Sequence, residues 1–165
     1  MLKLKLRDWI VFITIIIVTA FLDLYTKKLA FEYVKSKGNM VEVLPILNLV
    51  TVNNHGISFG MFQNPEYGKI IFTLLALIIS AYLIWNMIKE NKLILTIATA
   101  GIVGGALGNV IDRIINGSVA DFLDFHYREY HWPAFNLADS WIFIGVFIIL
   151  LYDLFWNKKT KNTEV

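Results

Sequence analysis

The chain has 165 residues, 57% of them hydrophobic and only 17% charged, and a mean hydropathy of +0.60; this balance asks for lipid as the solvent rather than water. It contains no cysteine, which excludes disulfides, thiolate metal sites and a thiol nucleophile. The net charge of +2 hides a clustering of basic residues, but no run is long enough to bind nucleic acid, and no such partner is expected.

A bilayer core about 30 Å thick needs roughly 20 mostly apolar residues per helix. Four stretches qualify: about Trp9 to Lys28, Lys69 to Ile88, Leu93 to Asp112 and Leu137 to Trp156. The first has the look of a signal sequence, but three more spans follow and no cleavage site stands out, so it is read as retained. Lys3, Lys5 and Arg7 precede it, Lys89 and Lys92 sit in the short second connection, and Lys158, Lys159 and Lys161 follow the last span. The positive-inside rule then places both termini in the cytoplasm and turns the connections at about 31–68 and 113–136 outward, in a single polytopic domain.

Within the first outer connection, Val41 to Val52 mixes β-branched residues with partial alternation, which predicts one or two short strands on the membrane surface. Tyr67, Tyr127, Tyr130 and Trp132 suit the interface. With direction assigned, Asp23, Asp112 and Asp139 fall at outer helix ends, Asp121 and Asp124 in the last outer connection, and Asp153 at the opposite end. Ionised carboxylates near lipid are expensive, so several acids converging on one face suggest a site. Asp139 stands two residues into its helix, where capping alone could account for it. Pattern does not separate Asp121 from Asp124.

The third span carries Gly101, Gly104, Gly105 and Gly108, two overlapping G-x-x-x-G spacings that let a neighbouring helix approach closely. Gly101, Gly105, Gly108 and Asp112 follow one stripe, and Asn109 and Arg113 share the adjacent face. The three histidines, His55, His126 and His131, lack H-E-x-x-H spacing; there is no G-x-S-x-G elbow; and nothing in their spacing favours Ser118 with Lys27. Zinc, serine and thiol mechanisms being weak, carboxylates remain, and no metal or cofactor is expected. Two carboxylates about 4 Å apart repel by roughly 4 kcal/mol at an effective dielectric of 20, about three pKa units, so one keeps its proton and the pair can act as acid and base.

Read together, five motifs resemble the prolipoprotein signal peptidase family, also called signal peptidase II. They are Asp23-Leu-Tyr-Thr-Lys27, Asn54-His-Gly56-Ile-Ser-Phe59-Gly60, Gly104-Gly-Ala-Leu-Gly-Asn109-Val-Ile-Asp112-Arg113, Val119-Ala-Asp121-Phe122 and Phe135-Asn136-Leu-Ala138-Asp139-Ser140, in the family's order and over most of the chain. The resemblance implies an aspartic peptidase of the bacterial inner membrane, four helices with a small outer β-cradle and a short surface helix. It implies that Asp121 and Asp139 are the catalytic dyad, and that Asp23, Lys27, Asn54, Gly105, Asn109, Asp112, Arg113, Asn136 and Ala138 line or support the site. It further implies lipid-modified prolipoprotein substrates, cut just before the diacylglyceryl cysteine, with membrane lipid beside the enzyme; a monomer is expected. The family often has two alanines where Ile57 and Ser58 stand and a valine where Ala120 stands, departures that bear on fit rather than mechanism. The competing readings are a small proton- or ion-coupled transporter, whose acids should form a path across the membrane, and a noncatalytic assembly subunit using its glycine faces.

Overall fold

Chain termini aside, the architecture follows from what lipid demands: every backbone polar group must be satisfied within the chain, which leaves helices for the apolar stretches. The structure, a computed structural model, describes residues 4–56 and 65–157, with side chains at 65–68 left out. Lys3, the Ile57, Ser58, Phe59 and Gly60 part of the second motif, the Tyr67 side chain, and Lys158, Lys159 and Lys161 lie outside the described residues.

Four helices are long and apolar enough to cross a membrane: α1 (Leu6–Ser36), α2 (Pro65–Glu90), α3 (Leu93–Asn116) and α4 (Leu137–Tyr152), the last continued by a π-helical turn, Asp153–Asn157. α1 runs past the expected end near Lys28, because the charged residues that end its apolar stretch are still good helix formers. It stops where Gly38 and Asn39 take positive φ (103° and 76°) and the Lys37 and Asn39 N–H groups both fold back onto the Val34 carbonyl. α3 likewise passes Asp112 and ends at Gly117, left-handed at φ 75°.

α3 is the hub, with 78% of its span buried against 6 to 17% for the other three, whose remaining faces are left to lipid. Its glycines make this possible, and their stripe serves two neighbours rather than one. A methyl on Gly104 would strike Thr19, and one on Gly108 would strike Asp23, both on α1. On Gly105 it would come within 2.5 Å of the Ala138 carbonyl of α4. Toward the α2 side Phe12, Met87, Ala100 and Val103 close a small apolar core.

An antiparallel sheet caps one end of the bundle in the order β1 (Met40–Leu44), β2 (Leu47–Asn54), β3 (Val119–Tyr127) and β4 (Tyr130–His131). β1 and β2 are the strands expected from the β-branched run. β3 lies in what the sequence suggests is a plain connection, and it is a strand because β2 pairs with it, Val52 opposite Asp121 and Asn54 opposite Val119. Beyond β4 the chain returns along β3: Phe122 and Leu123 N–H both donate to the Phe135 carbonyl, at 3.0 and 2.9 Å. No separate short surface helix occurs among the described residues. Tyr127, Tyr130 and Trp132 are exposed at this end, as expected of interfacial aromatics.

Candidate active site

The pinned Phe135 delivers Asn136, the N-cap of α4, beside β3. Asn136 is wholly buried, and its amide nitrogen donates to Asp121 Oδ1 at 2.7 Å and to Asn109 Oδ1 at 3.2 Å. Its amide oxygen accepts the Asp139 backbone N–H at 3.0 Å, while Asp139 Oδ2 accepts the Asn136 backbone N–H at 3.2 Å. This is a reciprocal capping box, so Asp139 does cap its helix. Its other oxygen, Oδ1, is held from across the bundle by Asn109 Nδ2 at 2.9 Å.

Asp121 is 2% exposed. Its two oxygens accept only from neutral amides, Asn136 and Asn54, the latter from β2 at 2.8 Å. Burial pushes this carboxyl up to about 7; the Asn54 hydrogen bond opposes the rise, the charge of Asp139 adds to it, and Asn136 and the more distant Lys27 oppose it. Asp121 and Asp139 line one cavity of about 890 Å³, together with Asn54, Asn109 and Arg113. Away from this polar end the cavity is apolar, walled by Leu75 and Ile79 of α2, Ile102 of α3, and Ile142 and Phe143 of α4. Arg113 reaches the Gly56 carbonyl at 3.5 Å and lies over the Phe72 ring, and its buried Nε has no hydrogen-bond partner among the described residues.

The remaining acids do not join this pair. Convergence on one face, read from sequence, resolves into three separate groups. Asp23 and Asp112 bracket Lys27 Nζ at 2.7 and 3.4 Å, in a cluster with side chains no more than 4% exposed. Lys27 spends its third donor on Asn109 Oδ1 at 2.8 Å, which turns the Asn109 amide nitrogen toward Asp139. Asp23 Oδ1 also accepts the Ala138 N–H at 2.8 Å, tying the first turn of α4 to α1, and Asp112 is held by Asn116 and the Ala120 N–H. Asp124 forms the third group, 2.9 Å from His131 Nδ1 and bonded to Asn48. Asp153 sits at the far end of α4, so the acids form no path across the bundle, as transport would require.

Gly105 and Ala138 touch where α3 crosses the start of α4, so both sequence-named positions shape the site without contributing a functional side chain. Sequence reasoning did not single out Phe72, which faces Arg113, or Asn116, which holds Asp112. The i, i+4 spacing of Asp23 and Lys27, and likewise of Asp112 and Asn116, was the available signal for two of these contacts.

With this geometry in hand, comparisons with known proteins converge. The model of the family described as Signal peptidase (SPase) II matches residues 15–155. The chain belongs to the signal peptidase II family. It is 38% identical to a protein named lipoprotein signal peptidase from Alteromonas mediterranea, over 99% of this chain and 91% of the relative. It is 41% identical to one of the same name from Francisella tularensis subsp. novicida, over 97% and 99%. Two solved structures, each described as a bacterial membrane enzyme, align with TM-scores of 0.73 and 0.74 at 31% and 30% identity. Each covers 93% of this chain; the alignments span 93% and 97% of the solved chains. Family and fold together make it a multi-pass membrane hydrolase.

Proposed function

We propose that the chain is an aspartic endopeptidase that removes the signal peptide from diacylglyceryl-modified prolipoproteins, cutting just before the lipidated cysteine. The observation that carries this reading is that Asp121 and Asp139 line one otherwise largely apolar cavity, with neutral donors on both carboxyl groups. Asp121, raised to about 7, supplies the proton. It hydrogen-bonds the scissile carbonyl while Asp139 takes a proton from water, the water oxygen attacks, and the leaving amine recovers a proton from the pair. No covalent intermediate is required. Asn54, Asn109 and Asn136 hold the carboxyls in place, and the apolar wall accepts the acyl chains and signal helix.

The enzyme works as a monomer in the bacterial inner membrane with its site facing outward. The lysines and arginine before α1 and the lysines between α2 and α3 support this orientation. Since the chain has no cysteine, one introduced at Lys37 can report the side directly; labelling by an impermeant thiol reagent from the outside is expected.

Purified protein should cleave a diacylglyceryl-modified precursor and spare the unmodified one. Asp121→Asn and Asp139→Asn should each lower turnover about 10²- to 10⁴-fold, the usual worth of a positioned acid or base, with thermal unfolding little changed. Retained cleavage in either variant would reject the dyad.

A further inference from the structure

β2, β3 and α3 each present alternate residues to two chambers. Along β2, Asn54 and Gly56 face the carboxylate cavity, whereas Asn53 and His55 line a second pocket of about 540 Å³. Asp121 on β3 faces the first, Ser118 and Ala120 the second; on α3, Asn109 and Arg113 divide in the same way from Asp112 and Asn116. Strand period and helix stripe thus place the two chambers back to back. The far wall of the second is α1, whose Lys27, Lys28, Phe31 and Lys35 fall on one helical stripe.

The charges here are unequal. Lys27 is outnumbered by Asp23 and Asp112 and brings no spare positive charge, while both oxygens of Asp112 already accept from Asn116, the Ala120 N–H and Lys27. Lys28 has only a 3.9 Å approach to Glu32, with both side chains mostly exposed, an arrangement worth little in water. Lys35 rests over the Phe31 ring at 5.7 Å. Two weakly committed ammonium groups therefore meet the side chains of Asn53, His55, Asn116 and Ser118 around one hollow. α1, with 31 residues, is about 46 Å long against a hydrocarbon core of about 30 Å. Its charged end, from Lys27 onward, therefore emerges at the level of the lipid headgroups. Snorkelling would account for lysines at that depth but not for a walled hollow with polar groups from three further elements.

We infer that this second pocket binds one phosphate-bearing anion, with Lys28 and Lys35 supplying charge and Asn53, Asn116 and Ser118 supplying hydrogen bonds. The phosphate can come from a phospholipid headgroup or from free phosphate. The inference stands apart from the peptidase reading, since neither lysine belongs to the carboxylate site.

The test titrates the full chain in neutral detergent with dihexanoyl-phosphatidylglycerol, dihexanoyl-phosphatidylcholine and inorganic phosphate. Saturable binding of the anionic lipid is expected, weakened about 25-fold in Lys28→Gln/Lys35→Gln, about five-fold for each charge lost, and unchanged in Lys89→Gln at the other end of the bundle. Anionic lipid binding at least tenfold tighter than inorganic phosphate identifies a lipid headgroup; equal affinities identify a free anion, and both support the site. Equal binding of the zwitterionic and anionic lipids, absence of saturable binding to either anion, or wild-type affinity in the double variant overturns it. Both lysines are exposed, so the variants keep the fold.

Discussion

Two pairs of aspartates lie a few side chains apart and are built on opposite principles; only Asp139 of the four is less than fully buried. Asp23 and Asp112 share a lysine, and every oxygen among them has a cation or an N–H. Among the described residues, Asp121 and Asp139 have no cation within bonding distance, only amides and one backbone N–H. A carboxyl buried among neutral donors beside a second negative charge is pushed toward holding its proton, as Asp121 is. Identical side chains thus become a strut in one place and a proton store in the other, according to whether lysine reaches them. Asn109 joins the two, accepting from Lys27 on its oxygen and donating to Asp139 from its nitrogen.

The comparison breaks most visibly at Lys27. Lys27→Met leaves two buried carboxylates without their counterion, a loss of about 3–5 kcal/mol for such a cluster, and thermal unfolding in detergent should fall accordingly. Asp121→Asn strands no counterion, so it should lower turnover about 10²- to 10⁴-fold at nearly unchanged stability. If Lys27→Met unfolds like the wild type, the strut interpretation of the triad is wrong.

A subtler contrast tests how the strut transmits to the site. Gly105→Ala drives a methyl to 2.5 Å from the Ala138 carbonyl and 3.1 Å from Ile142, at the first turn of α4; Gly101→Ala meets nothing nearer than the Trp141 carbonyl at 3.8 Å. The first should cost about 1–3 kcal/mol and lower turnover by displacing Asp139. The second should stay within about 0.5 kcal/mol of wild type. Parallel unfolding and cleavage measurements on the two variants separate a general dislike of alanine in α3 from a specific pinch at the site.

How much of this could be read in advance depends on range. The spans were legible because lipid thickness fixes their length, although α3 continues four residues past the expected end at Asp112. The exit of α1 was not, since Lys28 to Ser36 leave the apolar layer without leaving the helix. β1 and β2 showed in their β-branched residues, whereas β3 contains two aspartates and owes its strand to pairing with a segment some 70 residues earlier. The acids were individually visible, but their partition was not. Only the fold decides that Lys27 serves Asp23 and Asp112, that Asp124 turns to His131, and that Asp121 and Asp139 line one cavity. The motif resemblance pointed to that last pair; spacing by itself left Asp124 equally eligible.

The smallest effect probes the proton store itself. Burial raises Asp121 from the ordinary carboxylate range to about 7, so under the proposed mechanism its proton is present below pH 7 and lost above it. Turnover of the lipidated precursor should therefore fall about fivefold from pH 7 to 8 and about tenfold more by pH 9. The stability linked to this group has the same sign: the folded chain holds the Asp121 proton where the unfolded chain has released it. The stabilisation is thus fully present below about pH 4 and is lost as pH rises through about 7. Asp121→Asn should flatten that slope, whereas Lys28→Gln should leave it intact. An alkaline fall in cleavage with no matching change in the stability slope of Asp121→Asn would place the titrating proton elsewhere.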